Sequence, residues 1–197
     1  MNDKIPPRRG ADIAQRRGPL MNRLKLVWPD AAHEAQVMDY RCVFLENGEY
    51  FAGCAGLEDV ENYAEWLDFE NRLSKKYGDG YVPSSVFLAV RTEDETLAGI
   101  LEIRHRLTPF LLRRGGHIGY SVLPSQRRRG CATEMLRLAL EECRKLDLDR
   151  VLLTCDKANV ASARTIAANG GVLENEIEDD AGMGRSGTIQ RYWIAVE

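Results

Sequence analysis

Residues 117–146 change their hydrophobic period once, and that change constrains the fold more than any other feature. "HIGYSVL" (117–123) alternates as a strand does, with Gly115 and Gly116 before it and Pro124 after it. Ala132, Leu136, Ala139, Leu140 and Cys143 then fall on one stripe of a helix over 132–146. Between the two periods lies "PSQRRRG", a turn with three consecutive arginines ahead of a glycine. A strand fed into a helix through so short a turn requires an α/β arrangement.

Other segments extend the pattern. "LKLVW" (24–28), "SVFLAV" (85–90) and "LAGILEIRHRL" (97–107) read as strands, the last two joined by a hairpin loop "RTEDET". "VLLTC" (151–155) is a short apolar run fit for a buried strand. "VLENEIE" (172–178) and "IQRYWIAV" (189–196) are strands around the turn-rich "DDAGMGRSG". Helical patterns cover 31–45, 59–78 and 160–169, the last two closed by glycines. The order predicts a mixed α/β sheet in one domain over 21–197, without regular βαβ alternation. Residues 1–20, with Pro6, Pro7, Gly10, Gly18 and Pro19, read as a disordered basic tail.

The chain of 197 residues has a formal net charge of −3, although its tail sets five Lys/Arg against two Asp. An acidic body argues against general nucleic-acid binding. Five cysteines without a C-x-x-C pair argue against a disulfide framework or zinc site, and three scattered histidines against any metal cluster. No apolar run is long enough to span a bilayer and no signal-peptide core is present, so the expectation is a soluble cytoplasmic protein.

The arginine turn therefore needs its own account. The first N–H groups of a helix lack intrahelical partners, and the dipole adds partial positive charge there. Exposed cations at that end oppose the dipole by about 0.3–1 kcal/mol each, a cost that an anion would remove. Gly130 admits a ligand to the main chain, Cys131 and Ala132 add little bulk, and Arg127, Arg128 and Arg129 supply charge. This is the composition of a phosphate or pyrophosphate cradle.

At this point the sequence resembles the GCN5-related N-acetyltransferases (GNAT). Their R/Q-x-x-G-x-G/A signature stands here as Arg127-Arg128-Arg129-Gly130-Cys131-Ala132, preceded by the V-x-P-x-x-R of Val122 to Arg127. The resemblance spans about 22–197 and implies a central, mostly antiparallel sheet flanked by helices and splayed at the cofactor site. It implies acetyl-CoA as co-substrate, an amine acceptor as partner, and a monomer or homodimer. Main-chain amides of Arg128, Arg129, Gly130, Cys131, Ala132 and Thr133 would hold the pyrophosphate, with Arg127 among the counter-charges. Tyr120, Ser121 and Val122 would pair with the pantetheine, and Asn159, with Ser162 a turn later, would contact its arm.

The resemblance also has a gap. Acetyl transfer to an amine moves two protons, one off the nucleophile and one onto the leaving thiolate. Many relatives carry a tyrosine acid seven residues after the asparagine, where this chain has Ile166. Tyr120 is a candidate acid. Glu102 is a candidate base on the strand face opposite Leu101 and Ile103, with Arg104 as same-face neighbour. His117 is a second candidate base because imidazole titrates near neutrality, and Cys131 at a helix start is expected to have a lowered thiol pKa. The acceptor pocket is expected from 46–82 and from "DDAGMGRSG", with Glu46, Glu49, Glu58 and Asp59 available to a cation. A non-catalytic acyl-CoA-binding module of the same fold is the alternative that Ile166 leaves open.

Overall fold

The computed structural model describes residues 22–75, 81–178 and 187–196. The tail expected over 1–20, the helix end expected at Gly78 and Gly80, and residues 179–186, where turns were expected, lie outside them. Strand β1 (Leu24–Val27) leads through a 3-10 turn to helices α1 (Glu34–Glu46) and α2 (Tyr63–Lys75). Strands β2 (Ser84–Arg91) and β3 (Leu97–Arg104), helix α3 (Pro109–Arg113) and strand β4 (Ile118–Val122) follow. The chain continues as α4 (Cys131–Lys145), β5 (Arg150–Asp156), α5 (Val160–Ala168), β6 (Val172–Glu178) and β7 (Thr188–Ala195).

Two departures from the periodicity have a clear local reason. Helix α2 starts at Tyr63 because Asn62 Oδ1 accepts from Glu65 N–H at 3.0 Å, which caps the helix there. Helix α3 was not expected. Thr108 Oγ1 accepts from Leu111 N–H at 3.1 Å and Pro109 occupies the first turn, so the "TP" pair that starts it was present in the sequence.

The strands form two antiparallel sheets, β1-β2-β3-β4 and β5-β7-β6. They join through one bridge, Gly116 to Leu153. Beside it His117 N–H donates to Leu152 O at 2.7 Å, and Leu152 N–H donates to His117 Nδ1 at 2.8 Å. The expected splay is thus a break between two sheets.

The central strands are covered on both faces. Phe87, Ala89, Leu101 and Ile103 pack with Met135, Leu136 and Ala139 of α4. Val86, Leu88, Val90 and Ile100 pack with Val37, Tyr40 and Phe44 of α1 and Trp66 of α2. That is why "SVFLAV" is apolar throughout rather than alternating. Among the described residues no helix is long and apolar enough to cross a membrane.

Candidate active site

Beyond the bridge, β4 and β5 diverge around a cavity of about 820 Å³. Tyr120 and Val122 line one wall, Leu153 and Cys155 the other, and Asn159, Ser162 and Ile166 of α5 close an end. Register decides which main-chain groups of β4 reach it. Arg104 N–H donates to His117 O at 2.7 Å, and Leu123 N–H to Ala98 O at 2.9 Å. Antiparallel ladders bond alternate residues, so Gly119 and Ser121 belong to the β3 side. Ile118, Tyr120 and Val122 then turn their N–H and C=O groups outward, toward the cavity. The three-residue pairing expected over Tyr120, Ser121 and Val122 is corrected on this point, because the main chain of Ser121 faces β3.

The side chain of Ser121 is committed as well. Its hydroxyl donates to Ala52 O at 2.6 Å, accepts from Tyr40 Oη at 2.8 Å and lies 3.4 Å from Cys54 Sγ. Burial pushes the Cys54 thiol up to about 12 and raises the Tyr40 phenol, so both stay protonated at neutral pH. This network ties α1 and the 51–57 loop to the middle of β4. The loop crosses β4 closely at Gly53, where a Cβ would stand 2.3 Å from Gly119 O and φ is +78°. Only glycine fits both demands.

At the end of the cavity the arginine turn enters α4. Arg128 has φ +61° and Gly130 φ +80°, a left-handed pair that curls main-chain amides into a concave nest. Gly130 gives the helix no side-chain cap, so the first amides of α4, from Cys131 on, keep no partner within the helix. The three arginines divide their tasks. Arg127 Nε donates to Val122 O at 3.0 Å, and its other nitrogens grip Glu49, one at 3.1 Å from Oε1. Its charge therefore holds the turn against the 46–50 segment. Arg128 and Arg129 are exposed beside the nest. Glu134 holds the other side, accepting from Arg23 N–H at 2.6 Å and Leu24 N–H at 3.0 Å. Sequence reasoning offered Glu49 to the acceptor and passed over Glu134, because the partners of both are distant in the chain.

The ionisable candidates separate by environment. Tyr120 Oη lies 3.0 Å from Ser162 Oγ on α5, and burial raises its phenol pKa, so it carries a proton at neutral pH. Asn159 caps α5, accepting from Ser162 N–H at 3.1 Å. Ile166 is buried, at 1% exposure, and lines the cavity. His117 is also buried, and its Nδ1 is used by Leu152. Desolvation, with Arg104 second, lowers its pKa to about 4. It is a neutral strut across the sheet break, which corrects the expectation of a base poised near neutrality. Burial likewise raises the Cys131 thiol, outweighing Arg23, so the expected lowering at the helix start is corrected too.

Glu102 is not a surface residue. It is 6% exposed, and its Oε2 accepts from Arg104 at 2.6 Å. It lines a second cavity of about 450 Å³ with Ala55, Leu73, Val82, Phe69 and Phe110. Arg104 lines both cavities. Of the expected acidic lures, Glu49 is paired with Arg127 and Glu58 is half-buried with its pKa raised by desolvation. Among the described residues no group of His, Cys, Asp and Glu could hold a metal ion.

Comparison with known proteins agrees with this fold. Residues 84–172 match the family model described as the acetyltransferase (GNAT) domain. No curated protein sequence matches the chain. Among solved structures, the RimL ribosomal L7/L12 alpha-N-protein acetyltransferase in complex with coenzyme A aligns with a TM-score of 0.65 and 19% identity. That match covers 90% of this chain and 97% of the other. The spermidine N-acetyltransferase SpeG from Vibrio cholerae aligns at 0.63 and 16%, covering 88% and 94%. The putative acetyltransferase yncA from Salmonella typhimurium, solved with acetyl-CoA, aligns at 0.60 and 15%, covering 89% and 95%. At these identities the likeness concerns the fold. The resemblance to the GNAT family and the fold it implies both hold.

Proposed function

On the premise that residues 84–172 form a GNAT acetyltransferase domain, we propose that the protein moves an acetyl group from acetyl-CoA to a primary amine. Transfer is by direct attack in a ternary complex. The observation that carries this reading is the continuity of one surface. The outward main-chain groups of β4 run along the larger cavity and end at the left-handed nest ahead of α4. An extended strand edge suits an amide-bearing arm, and a nest suits a pyrophosphate.

Acetyl-CoA supplies the activated acyl group when bound. The chain supplies position and proton handling. Amides of Arg128 to Thr133 hold the phosphates, with Arg128 and Arg129 as counter-charge. Tyr120 and Val122 hold the arm through their main chain, and their N–H groups are the donors available to polarise the thioester carbonyl. Asn159 and Ser162 border the arm from α5. Tyr120 takes the acid role that Ile166 cannot fill; its raised pKa keeps the hydroxyl protonated at neutral pH, so it can donate to the sulfur as the thiolate departs. Glu102, beside Gly119 in register and joined to Arg104, is the base facing the acceptor.

Calorimetric titration with acetyl-CoA, followed by thiol release across an amine panel, tests the reading. Binding with turnover supports it. Binding without turnover of any amine favours the acyl-CoA-binding alternative, which Ile166 recommends. Glu102→Gln is expected to lower kcat by about 10²-fold while sparing acetyl-CoA affinity. An unchanged pH–rate profile would remove Glu102 from the role.

A further inference from the structure

The second cavity differs from the first in chemistry. Its floor carries Glu102 and Arg104, a carboxylate and a guanidinium 2.6 Å apart. The pair leaves the floor with no net charge. Its walls are Ala55, Leu73, Val82 and Phe69, and Phe110 stands at the rim, 51% exposed. On α2, between Phe69 and Leu73, Glu70 is 5% exposed and neither of its side-chain oxygens has a hydrogen-bond partner. Burial, with Glu102 second, pushes its pKa up to about 9, so it adds no charge at neutral pH. A ligand that fills this space thus finds one carboxylate paired with a guanidinium, the side chains of Thr108 and Tyr81, and an otherwise apolar surface.

Arg104 connects the two cavities, so an amine in the smaller one lies next to the donor slot. A polyamine would need several buried counter-charges, since each unpaired buried charge is costly. This cavity offers one, already shared with Arg104. An aromatic or bulky apolar group is favoured by the walls. We propose that this cavity is the acceptor pocket and that the acceptor is a primary amine carrying one bulky apolar, preferably aromatic, group. The proposal rests on the acetyltransferase reading and names its substrate class. Such a group is offered both by a small arylalkylamine and by the first residue of a peptide.

Thiol release with the full chain and acetyl-CoA is compared for 2-phenylethylamine, a tripeptide beginning with phenylalanine, butylamine and spermidine. One of the first two is expected to exceed both of the others in kcat/KM by about tenfold or more, the preference typical of an apolar pocket. Which of the two leads identifies the source. Leu73→Trp fills the pocket and Phe110→Ala removes a rim wall. Both are expected to shrink that preference with acetyl-CoA affinity unchanged, and Phe110, half-exposed, decides the matter if the tryptophan variant does not fold. Equal or better turnover of spermidine or butylamine overturns the proposal. So does a preference retained in both variants, or acetyl-CoA binding with no turnover of either aromatic amine. The pocket is also tested without acetyl-CoA. Saturable NMR line broadening of 2-phenylethylamine by the wild type, weakened in Phe110→Ala, is expected, and its absence overturns the pocket. Failure to bind acetyl-CoA, with amine binding intact, overturns the underlying reading instead.

Discussion

Glu70 gives the sharpest test of the packing around the smaller cavity. It sits on α2 in helical step with Tyr63, Trp66 and Leu73, the face that packs on the sheet. An ordinary glutamate titrates near 4.5, and desolvation lifts this one to about 9. The sign follows from linkage. Below pH 4.5 both folded and unfolded states hold the proton. Between 4.5 and about 9 the unfolded chain ionises while the folded one does not, so stability present at low pH is lost as pH rises. Each pH unit in that window costs about 1.4 kcal/mol, so from pH 6.0 to 8.5 the loss approaches roughly 3 kcal/mol. Glu70→Gln keeps the shape and removes the titration. Urea denaturation of both proteins at several pH values isolates the difference, since other groups cancel. The wild type is expected to fall below the variant progressively over this range. Parallel curves, within about 0.5 kcal/mol, would refute the burial of an uncompensated carboxyl.

Further outcomes follow from the same geometry. Gly53→Ala places a methyl 2.3 Å from Gly119 O in a left-handed backbone. It is expected to cost about 2–4 kcal/mol in thermal stability and to weaken acetyl-CoA binding through β4, and a Tm equal to wild type would refute the close crossing. Tyr120→Phe keeps the ring and removes the hydroxyl. Its kcat is expected to fall by about 10²-fold with acetyl-CoA affinity retained, and an unchanged kcat would exclude Tyr120 as the acid. His117 is expected to remain a neutral, Nε2-protonated ring at pH 5.5 in nitrogen-detected NMR, because its folded pKa is about 4. Stability is accordingly lost as pH falls from 6.5 toward 4, where the unfolded ring takes a proton and the folded one does not. A protonated ring at pH 5.5 would remove the strut between the sheets.

Much of the fold was legible because its signals are local. Hydrophobic periods and short apolar runs placed the seven strands and four of the five α-helices of the described residues, and Pro124 and Gly130 bounded the turn between β4 and α4. Helix α3 was missed although "TP" announced its cap, because five residues are too few for periodicity to register. Ser121 shows a different limit. Alternation says that neighbouring residues face opposite ways, but it does not say which parity faces β3, and that depends on the register of a partner strand.

The sequence by itself determined the order of the periodic elements, the arginine-rich turn ahead of α4 and the absence of a tyrosine at position 166, since each is written in adjacent residues. Only the tertiary structure decided what the charges do. Arg127 meets Glu49 across 78 positions, Glu134 meets the start of β1 across 110, and Tyr120 meets Ser162 across 42. It also decided ionisation. His117 is neutral and Glu70 protonated because their water has been replaced by packed side chains. Desolvation is a property of everything around a group, so no reading of its neighbours in the chain could supply it.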